Sequence, residues 1–259
     1  MIQKRQYLHT LLVGLCLAVW SCQAAPAVHF ATGPVSSALV PSASLASSTC
    51  PRAASTVLGK ALEARTLSIY AGACHYNGER VQAGHTAVLA WQLEPGLIEG
   101  ERFDGAGIVA VVTSDENLVE GLPRRSCVYL DPALDGAQVS LALSWLDLHA
   151  GPKLGQRVAV VREDVAVRID SARYLARVGD RIALEGAAMP NLECCKMPYN
   201  VWYQPLTEMD QASRKVGCSS SLVCREPRLG LEFSRQGEND AWFGALPEIA
   251  PTPRPSPAR

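Results

Sequence analysis

The chain has 259 residues, 19% of them charged and 48% hydrophobic, with 24 Lys and Arg against 25 Asp and Glu and a net charge of −1. That length is ample for a buried core, and the near-neutral balance excludes the basic footprint that a binder of the nucleic-acid backbone needs. Nine cysteines are many for a reduced cytosol and too few for a disulfide-saturated miniprotein.

Lys4 and Arg5 precede an apolar run from Leu11 to Trp20, which is shorter than the roughly 20 residues a membrane-spanning helix needs. Residues 1–22 therefore read as an export signal. Val19-Trp20-Ser21-Cys22 resembles a lipobox, which would place a lipid on Cys22, and the small residues Ala24, Ala25 and Ala27 offer ordinary cleavage instead. Residues 23–57 are mostly Ala, Ser, Pro and Val, with no acidic residue before Glu63, the composition of a tether rather than a core. The expected address is the periplasm or the outer membrane, with a lipid anchor as the contact to the membrane.

Short β-type runs follow at Thr66–Tyr70, Thr86–Leu93, Gly107–Thr113 and Ser126–Leu130, bounded by turn signals such as Asn77-Gly78 and Glu94-Pro95-Gly96. One helix stands out: Asp135 with Gln138 three residues on gives a capping signature, Val139, Ala142, Leu143 and Leu146 fall on one stripe, and Gly151-Pro152 ends the run. Alternating Val and Ala residues from Gln156 to Ile169 predict strand again. Beyond them come Arg173–Val178, Arg181–Leu184, Val201–Gln204 and Gly230–Phe233, with room for a short helix within Thr207–Lys215. The fold class expected is α+β: residues 58–165 form a mixed or antiparallel sheet with one main packed helix, and residues 166–245 a smaller, mostly β, cysteine-rich module. Residues 246–259 carry five prolines and read as an extended tail.

Tyr70-Ala-Gly-Ala-Cys74-His75-Tyr76-Asn77-Gly78-Glu79, with Glu63-Ala-Arg65 before it and Ala90-Trp91 and Ser114-Asp115-Glu116-Asn117-Leu118 after it, resembles a bacterial family of uncharacterised domains, the domain of unknown function numbered thirteen twenty-six. The resemblance covers about residues 60–165. It implies a fold unit and no catalytic residue; many members look cysteine-rich near this position, where this chain keeps only Cys74 followed by His75.

Of the seven cysteines after the leader, Cys194, Cys195, Cys218 and Cys224 fall close together in sequence. Met189, Met197 and Met209 lie near them, and no histidine follows His149. Thiolates and thioethers without imidazole favour Cu(I), and four thiolates also suit zinc. One reading therefore makes Cys194, Cys195, Cys218, Cys224 and Met197 a soft-metal site. The other makes the four cysteines two structural disulfides between the vicinal pair and Cys218 and Cys224. Cys74 beside His75 is the candidate reactive thiol, with a core position or a bridge to Cys127 as the alternative. Trp202-Tyr203 and Trp242-Phe243 read as core closures, or as an aromatic platform. Phosphate loops, nucleophile elbows and zinc-protease helices are all missing from the sequence. The functional expectation is an exported cell-envelope binding protein handling a soft metal, with a thiol-disulfide redox partner and a metal-free disulfide-stabilised module as alternatives; nucleic acid is not an expected partner.

Overall fold

A computed structural model describes residues 55–72, 84–120, 123–191 and 199–248. Strand β3 (Thr86–Leu93) is apolar at nearly every position, and all but one of its residues are buried, the pattern of a strand covered on both faces. It pairs with β1 (Gly59–Arg65) on one side and β6 (Ala106–Ser114) on the other, and β6 pairs in turn with β7 (Arg124–Leu130). A short hairpin of β4 (Gly96–Ile98) and β5 (Glu101–Phe103) interrupts the path from β3 to β6.

The chain then crosses the sheet through helix α1 (Gly136–His149) and the single turn α2 (Gly151–Leu154). It returns as β8 (Gln156–Arg162), which pairs with β7 in parallel. A parallel neighbour needs such a crossover, and every other pairing is antiparallel. The capping signature is realised in part. Asp135 accepts from the Gln138 backbone N at 2.8 Å, while the Gln138 side chain turns to the hairpin, accepting from Asp104 N and donating to Arg102 O, both at 2.9 Å.

After β9 (Val165–Ile169), β10 (Arg173–Val178) and β11 (Ile182–Ala188), the short strand β12 (Asn200–Trp202) pairs with β2 (Tyr70–Gly72) as a separate ribbon. The chain then runs through β13 (Lys215–Glu226), one 3-10 turn at Pro227–Leu229, β14 (Leu231–Arg235) and β15 (Glu238–Ala245). The main sheet has the order β8-β7-β6-β3-β1-β15-β13-β11-β10-β9, with β14 also on β13.

The sheet curls until its last strand lies across its middle. Lys60 Nζ on β1 donates to Ile169 O at 2.9 Å, and Ile169 N donates to Gln92 Oε1 on β3 at 2.8 Å. A Cβ at Gly107 on β6 would stand only 3.2 Å from Val167 Cγ2 of β9, so the missing side chain is what lets the far edge come down on the centre. Inside the curl lie Leu62, Val88, Val109, Tyr129, Tyr174, Leu184 and Phe243. On the outer face, Leu89, Trp91, Ile108 and Leu130 pack against Trp145 and Leu146 of α1. The strands thus bury alternate residues in two different cores.

The α+β expectation is corrected: strands make up 53% of the described residues, with two helices among them. One sheet, rather than a helix-packed unit followed by a smaller β module, takes its strands from both sides of residue 165; β1 is hydrogen-bonded between β3 and β15. Three strands absent from the expected runs carry the difference, β1, β13 and β15. β1 contains Lys60, Glu63 and Arg65, and β13 contains Ser219, Ser220 and Ser221 between its cysteines, so neither reads as a core strand by polarity. The helix expected within Thr207–Lys215 is a single turn at residues 211–213, where Asp210 accepts from Ser213 N at 2.9 Å.

Candidate functional site: an aromatic cavity at the end of α1

Cys22, Cys74, His75, Cys194, Cys195 and Met197 lie outside the described residues. The structure does not bring Cys218 and Cys224 together. They sit six positions apart on β13, about 20 Å along an extended strand, whereas sulfurs sharing one ion lie within about 5 Å of each other. Cys224 is fully buried inside the curl, in the same core as Cys127. Cys218 is half-buried, and a β-bulge lies between the two. Cys127, Cys218 and Cys224 are free thiols; the partners expected for them in disulfides, Cys74, Cys194 and Cys195, lie outside the described residues. Burial pushes the Cys224 thiol up to about 12 and the Cys127 thiol up to about 11, the latter helped by the Glu226 carboxylate beside it; burial also raises Cys218. Thiols held protonated in this way are poor nucleophiles and poor ligands. Among the described residues, no group of three His, Cys, Asp or Glu side chains is placed to hold a metal.

The convergent site is elsewhere, on the outer face. Trp91 projects from β3 toward α1 and meets Trp145 edge to face, with centroids 6.3 Å apart and planes at 72°. His149, one helical turn after Trp145, stacks on it at 4.5 Å, as the i, i+4 spacing allows. These rings, with Val57, Leu148 and Leu246, line a cavity of about 410 Å³, within the size range of small-molecule sites.

A buried ion pair fixes the opposite wall. Arg65 Nε donates to Glu63 Oε1 at 2.7 Å, Arg65 Nη2 donates to Gln204 O at 2.9 Å, and Glu63 Oε2 accepts from Thr207 N at 2.9 Å. The polar residues that disguise β1 as a loop therefore pin the segment carrying Thr207 and Glu208 against the cavity. Gly59, at the start of β1, lets Leu246 close the rim: Leu246 N donates to Gly59 O at 2.9 Å, and a Cβ on Gly59 would meet Gln92 O at 2.4 Å.

Two of the residues that line the cavity, Trp145 and Thr207, each hold a buried polar atom without a protein hydrogen-bond partner, Trp145 Nε1 and Thr207 Oγ1, in side chains only 1% and 5% exposed. A buried, unsatisfied donor or hydroxyl costs about 1–3 kcal/mol. The Thr207 hydroxyl has no base hydrogen-bonded to it, so it lacks the activation a nucleophile requires.

Sequence reasoning missed this site. Trp91 appears only in the family resemblance and His149 only as the last histidine. The signal in the sequence is Trp145-x-x-x-His149 at helical spacing; that Trp91 and Thr207 complete the site follows only from the sheet order. Of the two aromatic pairs, Tyr203, Trp242 and Phe243 are buried and Trp202 half-buried, so they close the cores as expected. Comparison with family models, with curated proteins and with solved structures gives no match. The resemblance of residues 60–165 rests on its motif alone.

Proposed function

We propose that this protein is a non-catalytic binding protein of the cell envelope, and that the cavity under Trp145 is its ligand site. The observation that carries this reading is the pair of orphaned polar atoms, Trp145 Nε1 and Thr207 Oγ1, in an aromatic-walled cavity of small-molecule size. The ligand class is a small aromatic molecule bearing at least one hydrogen-bond acceptor for the indole N–H. Calorimetric titration with tyrosol, a neutral hydroxylated phenylethyl alcohol, tests it. Binding should weaken about tenfold in Thr207→Val, as the loss of one hydrogen bond implies. The same substitution should leave the unliganded fold as stable or more so, because it removes an unsatisfied hydroxyl. No binding of tyrosol, or equal binding by Thr207→Val and Trp145→Phe, would overturn the proposal.

Soft-metal handling is retained as a second reading on one observation. In the β2–β12 ribbon, Gly72 pairs with Asn200; Cys74 and His75 follow Gly72 by two and three residues, and Met197 precedes Asn200 by three, with Cys194 and Cys195 just before it. The donor set supported in this way is Cys74, His75, Cys194, Cys195 and Met197 for Cu(I), with Cys224 omitted. Copper titration under reducing conditions should then be lost in Cys194→Ser and unchanged in Cys224→Ser.

A further inference from the structure

Apart from His149, the ionisable residues lining the cavity are both acidic. Glu208 and Glu248 stand at its mouth, both exposed, and its lining contains neither lysine nor arginine. Leu148 and His149, which form part of the wall, belong to the last turn of α1, and the C-terminal end of a helix carries partial negative charge. The Arg157 side chain, close to this end of the helix, is engaged by Asp147. The mouth therefore attracts cations and repels carboxylates, while the walls are aromatic, with Trp91 and Trp145 among them.

From this we infer that the cavity selects an organic cation: a small aromatic amine carrying a hydroxyl or carbonyl, its ring among Trp91, Trp145 and Leu246 and its ammonium group between Glu208 and Glu248. The acceptor oxygen pairs with Trp145 Nε1. The Thr207 hydroxyl is free to accept from the ligand. This inference rests on the binding reading above and specifies its ligand.

Three probes of nearly equal shape separate the two claims: tyramine as the cation, tyrosol as the neutral alcohol and 4-hydroxyphenylacetate as the anion, each titrated calorimetrically against the full chain at neutral pH and low salt. Tyramine should bind about tenfold more tightly than tyrosol, and 4-hydroxyphenylacetate more weakly than either. The preference for tyramine should shrink at high ionic strength. It should also collapse in the double variant E208Q/E248Q. Equal affinity for all three probes, tightest binding of the anion, or a preference that survives in E208Q/E248Q would overturn the inference while leaving the binding reading intact. Failure of tyrosol to bind overturns the binding reading and this inference with it.

Discussion

Asp240 is fully buried on β15, with Oδ1 accepting from Ser219 Oγ and Oδ2 without a partner. Because the serine proton points at the carboxylate, Tyr174 donates its own hydroxyl to Ser219 Oγ at 3.0 Å. The tyrosine ring reaches that position by lying over Gly217, where a Cβ would come within 2.6 Å of it. Burial raises the Asp240 carboxyl to about 6, against the opposing pull of the Ser219 hydrogen bond and of Arg235. A carboxylate that holds its proton more tightly in the folded state gives stability that is fully present below the unfolded value near 3.8 and is lost as pH rises through 6. The shift of roughly two pH units corresponds to about 3 kcal/mol. Asp240→Asn keeps an acceptor for Ser219 and cannot ionise, so the difference in melting temperature between variant and parent should be near zero at pH 4 and grow in the variant's favour toward pH 7. Measuring the difference cancels the opposite trend from Asp170 and Asp210, whose carboxyls backbone and serine hydrogen bonds hold low. A gap that stays constant across that range would refute the assignment.

At the scale of the element, helix α1 was the most legible part of the chain, because its cap, apolar stripe and stop signal are local. Asp135→Ala should lower unfolding free energy by about 1 kcal/mol with an unchanged denaturant slope, measured in urea; an effect below a few tenths would mean the cap is dispensable. Strands apolar at nearly every position, such as β3, were equally plain, and β10 was read at its observed bounds. The strands that escaped detection owe their place to partners far away in sequence. β1 is polar at Glu63 and Arg65 because it holds the segment around Gln204 and Thr207 by side-chain bonds. β13 carries two cysteines that the sequence groups with Cys194 and Cys195, yet they face different surroundings, Cys224 in the inner core and Cys218 beside Ala187 of β11. Cysteine spacing suggested proximity, and extended geometry removes it. The cavity was illegible for the same reason: Trp91, Trp145 and Thr207 converge only once the crossover helix lies on the sheet.

On the scale of the whole molecule, the position of β1 decides how the chain folds. Its left neighbour in the sheet is β3 and its right neighbour is β15, so pairing it joins residues near 60 to residues near 245. The inner core is likewise shared: Leu62, Val88 and Val109 pack with Tyr174, Leu184, Leu222 and Phe243. Division at residue 165 would leave β1 with an open edge and an uncovered inner face in one fragment. In the other, β15 would lose one of its two hydrogen-bonded neighbours, and β9 would lose the Lys60 and Gln92 contacts that draw it across the centre. Exposed strand edges and open apolar faces favour aggregation over folding. Residues 55–248 should therefore unfold in one cooperative transition, with far-UV dichroism and tryptophan fluorescence changing together. The separate fragments 58–165 and 166–245 should show neither dispersed amide resonances nor a thermal transition when each is alone. Mixing them offers the sharper check, since a shared core predicts that signal returns only in the mixture. A fragment that folds by itself with dispersed resonances would mean that the single sheet is built from two independent units.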